Sequence, residues 1–107
     1  MVINRFAIYL VDLDPTKGSE IAKTRPCVVI SPNVANSRLK TVIVAPLTST
    51  SKSYPTRIDS VFDNKTGQIA LDQLRSIDKL RLRKYVGQLP DDTAQDVSDS
   101  LVALFTY

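Results

Sequence analysis

Three side chains in this 107-residue chain have the type and setting for work on a phosphate: Arg25, Thr48 and Glu20. A guanidinium is planar, always charged and able to donate two parallel hydrogen bonds to one phosphate. Arg25 precedes Pro26, which locks its own φ and drives the residue before it toward an extended conformation, so the arginine leaves the chain from a defined place. Thr48 ends the apolar run Thr41-Val42-Ile43-Val44-Ala45-Pro46-Leu47 and offers a hydroxyl donor to the same group, or a bond to nearby backbone. Glu20 offers a carboxylate, either as a general base or as a partner that orients Arg25. There is no histidine. That excludes a paired-histidine mechanism, a Ser-His-Asp or Cys-His triad and a His-built zinc site. Cys27 is the only cysteine, so an internal disulfide and a thiolate metal cage are excluded too, and its apolar run marks it as a buried, inert thiol.

The elements that must hold these groups are short and mostly extended. Phe6–Leu13 is rich in β-branched and aromatic residues and reads as a strand, stopped by Asp14-Pro15. Residues 14–25 form a long polar connection carrying Glu20 and Arg25, with Gly18 expected in a conformation other residues avoid. Cys27–Ser31 and Thr41–Leu47 read as buried strands, with one helical turn within 33–40. The Ser-, Thr-, Lys-, Tyr- and Pro-containing segment 49–56 is a flexible loop by composition. Thr56–Phe62 follows as an outer strand, Asn64–Gly67 as a turn using Gly67's permissive backbone, and Gln68–Leu74 as a strand. Leu80–Leu82 is a short extended or helical piece, and Tyr85–Leu89 is a last strand. A closing helix starts at 90–92, with Asp92 and Gln95 placed as a capping box and Val97, Leu101 and Leu104 on its packed face. Many short strands and one terminal helix predict a single mainly-β domain over residues 1–107, a small, strongly curved antiparallel barrel.

Apolar residues make up 43%, which suits one compact globular domain rather than disorder. The formal net charge of +3 is a modest bias toward anionic partners such as nucleic acid. No apolar run is long enough to span a bilayer and the N-terminus lacks a signal-peptide pattern, so no membrane association and a cytoplasmic location are expected.

Four ordered stretches carry a family resemblance: Leu10–Glu20 (LVDLDPTKGSE), Lys23–Pro32 (KTRPCVVISP), Val42–Ser49 (VIVAPLTS) and Gln68–Asp78 (QIALDQLRSID). Together they resemble the MazF/PemK family of toxin–antitoxin ribonucleases. The resemblance implies an SH3-like barrel, a homodimer and a cognate antitoxin that occupies the RNA groove. It also implies metal-independent, cofactor-free cleavage of single-stranded RNA at short sequence motifs, leaving a 2′,3′-cyclic phosphate and a 5′-hydroxyl. Carried over by motif, Arg25 and Thr48 match the catalytic arginine and threonine. Glu20 matches the acidic residue of the Gly-Ser-Glu turn, with Ser19 beside it. Asp72 and Gln73 match an acidic-Gln pair lining the RNA groove, with Lys17 and Ser49, inside the first and third motifs, as further RNA contacts. The chain departs from many relatives at Phe6, often glycine, at Ala7, often aspartate, and at Ala70, where some carry a second arginine. Two non-catalytic readings accompany the resemblance: a gyrase-inhibiting toxin on the same barrel, and an inactive relative that only binds RNA or antitoxin.

Within the last motif, Asp72 is also a second candidate base or a base-edge acceptor, and Arg75 is expected to pair with Asp78 across the dimer interface or to contact phosphate. The basic run Lys79–Lys84 suits either a solvated face or the RNA backbone, and Tyr54 is placed in its loop to stack on a base.

Overall fold

A computed structural model describes residues 2–106. The elements in chain order are β1 (Ala7–Asp12), β2 (Thr24–Val29), α1 (Asn33–Arg38), β3 (Thr41–Thr48), β4 (Arg57–Phe62), β5 (Lys65–Ala70), β6 (Arg75–Asp78), β7 (Leu82–Gln88) and α2 (Asp91–Phe105). Short 3₁₀ turns occupy Leu71–Gln73 and Lys79–Arg81. The sheet runs β4-β5-β3-β2-β1-β7, with β6 also on β3 and every pairing antiparallel. β3 is long enough to serve two neighbours besides β2: its first half pairs with β6 and its last two residues with β5. Splitting the sheet there curls it into the expected curved, mainly-β half-barrel.

The inner segments of the central strands, residues 7–11, 27–29 and 44–47, are apolar at successive positions because both faces are largely buried there. Ala7, Tyr9, Val11 and Leu13 point to one side with Cys27, Val29, Val42, Val44 and Ile77. Ile8, Val28, Ala45, Leu47, Ile69 and Leu71 point to the other, where Val97 of α2 closes the layer. The period-2 alternation therefore feeds two cores, each such side chain contributing roughly 1.5–3 kcal/mol on burial. A satisfied polar knot ties the N-terminus to the start of β3. Asn36 Nδ2 donates to the carbonyls of Ile3 (3.1 Å) and Ser31 (3.0 Å), and Ser31 Oγ donates to Asn36 Oδ1 (2.6 Å) and accepts from Ile43 N (3.0 Å).

Several boundaries differ from expectation. β2 begins at Thr24, so Arg25 lies inside a strand rather than on the preceding loop. Pairing with β1, Val11 opposite Arg25 and Asp12 opposite Thr24, extends the strand beyond its apolar part. The β4–β5 turn is the two-residue Asp63-Asn64, both with positive φ (53° and 60°), the twist that a tight hairpin favours and that Asp and Asn tolerate. Gly67 sits within β5 instead, and Gly18 takes the expected left-handed conformation at φ 56°. The extended run does not continue through Leu74: Asp72 and Gln73 belong to the 3₁₀ turn. β7 starts earlier than expected, at Leu82.

At α2 the capping box is not made: Asp92 Oδ1 accepts from Thr93 N, while Gln95 Nε2 donates to Asp99 Oδ1. Its packed face is Ala94, Val97 and Leu101, with Leu104 left 42% exposed. Phe6 just precedes β1 with φ 67°, held there because its N–H donates to Val29 O (2.7 Å) and its carbonyl accepts from Leu89 N (2.9 Å). A left-handed phenylalanine costs on the order of 1–2 kcal/mol.

Candidate active site

The β2–β3 register pairs Cys27 with Pro46, Val28 with Ala45 and Val29 with Val44. Run onward to where the strands part, the same register sets Arg25 beside Thr48. Both residues border one open depression, with Leu10, Pro26, Leu47, Ser49, Phe62 and Lys65 among its walls. Arg25 Nε donates to Ala22 O (2.9 Å), which orients the guanidinium, and its two terminal nitrogens have no hydrogen bond among the described residues. Other arginines are already engaged. Arg57 Nε and Nη2 donate to Asp72, Arg75 Nη1 to Leu13 O (3.0 Å), and Arg81 Nη1 to Asp12 O (3.1 Å) and Asp14 O (2.6 Å).

Thr48 is 8% exposed, and its Oγ1 accepts from Thr50 N (3.2 Å). That bond fixes the rotamer and leaves the hydroxyl hydrogen to donate elsewhere. β5 packs so closely here that a Cβ on Gly67 would lie 2.7 Å from Thr48 O. Gln68, opposite Thr48 and 6% exposed, grips the next loop: its Oε1 accepts from Lys52 N and its Nε2 donates to Lys52 O, each at 3.0 Å, and to Asp59 Oδ1 at 3.1 Å. Neither residue's positioning role was visible in the sequence, where Gly67 resembled a turn glycine and Gln68 a strand polar position.

Glu20 is not paired with Arg25. Its Oε1 accepts from Lys17 N (2.5 Å), closing the Lys17–Glu20 turn, and no Glu20–Arg25 ion pair exists among the described residues. Glu20 shares a second depression with Ser19, Asp72, Gln73 and Arg75. Gln73 ties this group together, its Oε1 accepting from Ile21 N (3.1 Å) and its Nε2 donating to Ser19 O (3.4 Å). Lys17 is exposed on the same loop. Both oxygens of Asp72 are occupied: Oδ1 accepts from Arg57 Nε (2.7 Å) and Thr56 Oγ1 (3.1 Å), and Oδ2 accepts from Arg57 Nη2 (3.1 Å). The Arg57 guanidinium accordingly holds the Asp72 carboxyl below its ordinary value, which weakens it as a proton acceptor.

The β1–β2 loop, the Thr48 strand end and the acidic-Gln turn thus form two neighbouring depressions on one antiparallel half-barrel. A family model described as the PemK-like, MazF-like toxin of type II toxin–antitoxin systems matches residues 4–105. The chain belongs to this family. A protein named Endoribonuclease MazF from Staphylococcus saprophyticus is 33% identical over 106 residues, covering 94% of this chain and 88% of that protein. MazF from Deinococcus radiodurans superposes with a TM-score of 0.84 at 25% identity, covering 97% of this chain and 96% of that one. A mycobacterial endoribonuclease solved with its cognate antitoxin has the same fold, with a TM-score of 0.81 at 22% identity and 98% of each chain covered.

Against that family pattern, Ala7 is buried and borders a different depression, beside Tyr9 and Tyr85. Ala70 is buried opposite Arg57, whose fork is committed to Asp72. Arg75 does not pair with Asp78 within the chain, since Asp78 Oδ1 instead accepts from Leu80 N (2.8 Å). Much of the basic run is spent internally: Arg81 on loop carbonyls, Arg83 on Asp12 and Lys79 on Asn36 O. Tyr54 is half-exposed with the Arg57 guanidinium 5.6 Å from its ring centre. Cys27 is a buried thiol, pushed up to about 12 by desolvation. None of the described helices is long and apolar enough to cross a membrane.

Proposed function

We propose that this toxin-family chain is a metal-independent endoribonuclease that cuts single-stranded RNA at short sequence motifs and inhibits translation as the toxin of a toxin–antitoxin pair. One observation carries the reading: Arg25, whose two terminal nitrogens have no hydrogen bond among the described residues, and the buried Thr48, whose hydroxyl hydrogen is left to donate, border one open depression. The name of the Staphylococcus relative supports it.

In the proposed reaction the RNA 2′-hydroxyl attacks the adjacent phosphorus and the 5′-oxygen departs, leaving a 2′,3′-cyclic phosphate and a 5′-hydroxyl. DNA lacks that hydroxyl and cannot follow this route. Arg25 donates to the phosphoryl oxygens as charge builds on them, and Thr48 adds a second donor. A preorganised donor of this kind contributes roughly 3–4 kcal/mol. Arg25 is a poor proton carrier, because the ordinary guanidinium value lies above about 12. Glu20 is the better base of the two carboxylates: one of its oxygens is free, whereas Asp72 is neutralised by Arg57. Ser49 contacts RNA beside the scissile phosphate, while Ser19, Gln73, Asp72 and Lys17 contact the strand as it passes the second depression. The groove is completed between two protomers, the cognate antitoxin inhibits by covering it, and the protein works in the cytoplasm.

The test is cleavage of a long single-stranded RNA with EDTA present and product ends mapped. Discrete cuts ending in cyclic phosphate are expected from the wild type. Arg25→Ala is expected to lose about 10²–10³-fold in rate with an unchanged melting curve. A folded, antitoxin-free wild type that makes no cuts overturns the proposal and redirects attention to gyrase.

A further inference from the structure

The Arg25–Thr48 depression does not end at the β4–β5 ribbon. Ser49, Ser60, Thr66 and Gly67 belong both to its wall and to that of a broader depression on the far side, floored by Gln68 and reaching the start of α2 at Pro90, Asp92 and Thr93. Its volume, about 640 Å³, lies within the roughly 300–1,000 Å³ typical of small-ligand sites.

The lining chemistry of the two depressions is opposite. Arg25 and Lys65 border the first, with Asp63 as its one carboxylate. Among the described residues no cation borders the second; its charged residues are Asp59 and Asp92, set among the hydroxyls of Ser49, Ser51, Ser60, Thr66 and Thr93. A phosphate is repelled there, while hydrogen-bond donors are welcome. Asp59 is held in place through Oδ1 by the buried Gln68, and Asp92 Oδ1 accepts from Thr93 N. The second oxygen of each carboxylate has no partner among the described residues.

We infer that this depression receives the base of a nucleotide next to the cleaved bond and selects bases bearing an exocyclic amino group. Adenine, cytosine and guanine each present an N–H₂ donor that a carboxylate accepts. Uracil presents a carbonyl oxygen where cytosine presents its amino group, and that oxygen faces Asp59 or Asp92 unfavourably, leaving the ring N3–H as its one edge donor. Single-stranded RNA allows a base to turn out of the stack and expose that edge. Gln68 acts as a positioning residue, since the same side chain fixes Asp59 and the loop leaving Thr48.

The inference rests on the ribonuclease reading, and one experiment separates the two. Matched short RNAs, differing only in the nucleotide on either side of the cut, are cleaved by the wild type, Asp59→Asn and Asp92→Asn. At one of the two positions the wild type is expected to cut adenine, cytosine or guanine roughly tenfold or more faster than uracil. Asp59→Asn, which keeps the acceptor toward Gln68 but gains a donor, is expected to bring that ratio to about threefold or less. Asp92→Asn, at an exposed helix start, provides a second reading should Asp59→Asn fold poorly. Cleavage by the wild type with the same base preferences in both variants overturns the inference while leaving the ribonuclease intact. Unchanged preferences with weakened antitoxin binding also overturn it, and assign the surface to the protein partner. A wild type that cuts none of the RNAs, nor a long natural one, removes the ribonuclease reading and the inference with it.

Discussion

Replacing Gly67 by alanine tests whether the close approach of β5 to β3 sets the catalytic geometry. The added Cβ would lie 2.7 Å from Thr48 O, a backbone atom, with Thr48 C at 3.5 Å. A carbon settles against a carbonyl oxygen at about 3.3–3.6 Å, so the strands must separate by roughly 0.6 Å or more at the Thr48–Gln68 pair. Overpacking of this kind costs about 1–3 kcal/mol. Taking the middle of that range, a domain of this size loses roughly 8 °C in melting temperature. The displaced atom belongs to Thr48 itself, and an ångström of misplacement costs about a hundredfold in rate. The expected outcome of Gly67→Ala is therefore a modest fall in stability with a fall in kcat of about ten- to a hundredfold. Thermal melts followed by circular dichroism and single-turnover RNA cleavage below the melting transition measure the two separately. An unchanged melt with an unchanged cleavage rate would refute the argument, and a destabilised variant that retains full kcat would detach Thr48's position from catalysis.

The Arg57–Asp72 pair predicts a pH dependence. Asp72's folded value lies below its ordinary 3.8 because of the Arg57 hydrogen bond, so the pair's stabilisation is fully present above about pH 4 and fades as pH falls through the lower folded value. With the side chains 7% and 29% exposed, a contribution of about 1 kcal/mol is expected. The stability gap between wild type and Asp72→Asn, measured by urea denaturation, should be flat from pH 6 to 8 and shrink below pH 4; a gap that widens with acid would contradict it. Cys27, pushed up to about 12 by burial, should resist iodoacetamide at pH 8 in the folded protein and react readily in denaturant. Fast labelling of the native state would show that β2 opens.

The fold was legible wherever short apolar runs bounded by turn residues decided it. β1, β3 and the heart of β2 are apolar on both faces, and no other secondary structure uses such short runs as well. Arg25 was misplaced onto a loop because its strand is extended by pairing with Val11 and Thr24 with Asp12, contacts made across a long connection that local composition does not encode. The β4–β5 hairpin was misread because glycine is the commoner turn residue, whereas Asp63 and Asn64 supply both positive φ values and leave Gly67 to solve a packing problem. The proposed α2 cap failed for a similar reason: Asp92 finds Thr93 N and Gln95 finds Asp99, partners as near in sequence as those of a capping box. At the candidate site, the motifs single out Arg25, Thr48, Glu20 and Asp72 as candidates, but not that Arg57 neutralises one candidate base. That fact depends on a salt bridge between strand and turn, and only the folded chain brings them together.

The grip of Gln68 on the loop after Thr48 has an evolutionary side. It holds Lys52 by main-chain N–H and carbonyl alone, so the anchor does not depend on which side chains that loop carries. Substitutions along 49–53 can accumulate without loosening the loop's attachment beside the cutting site. Under the proposed function, the surface that meets RNA can in this way drift toward new sequences while the chemistry next to it stays in register, and a clamp on the backbone is what would make a variable surface and a fixed reaction compatible in so small a domain.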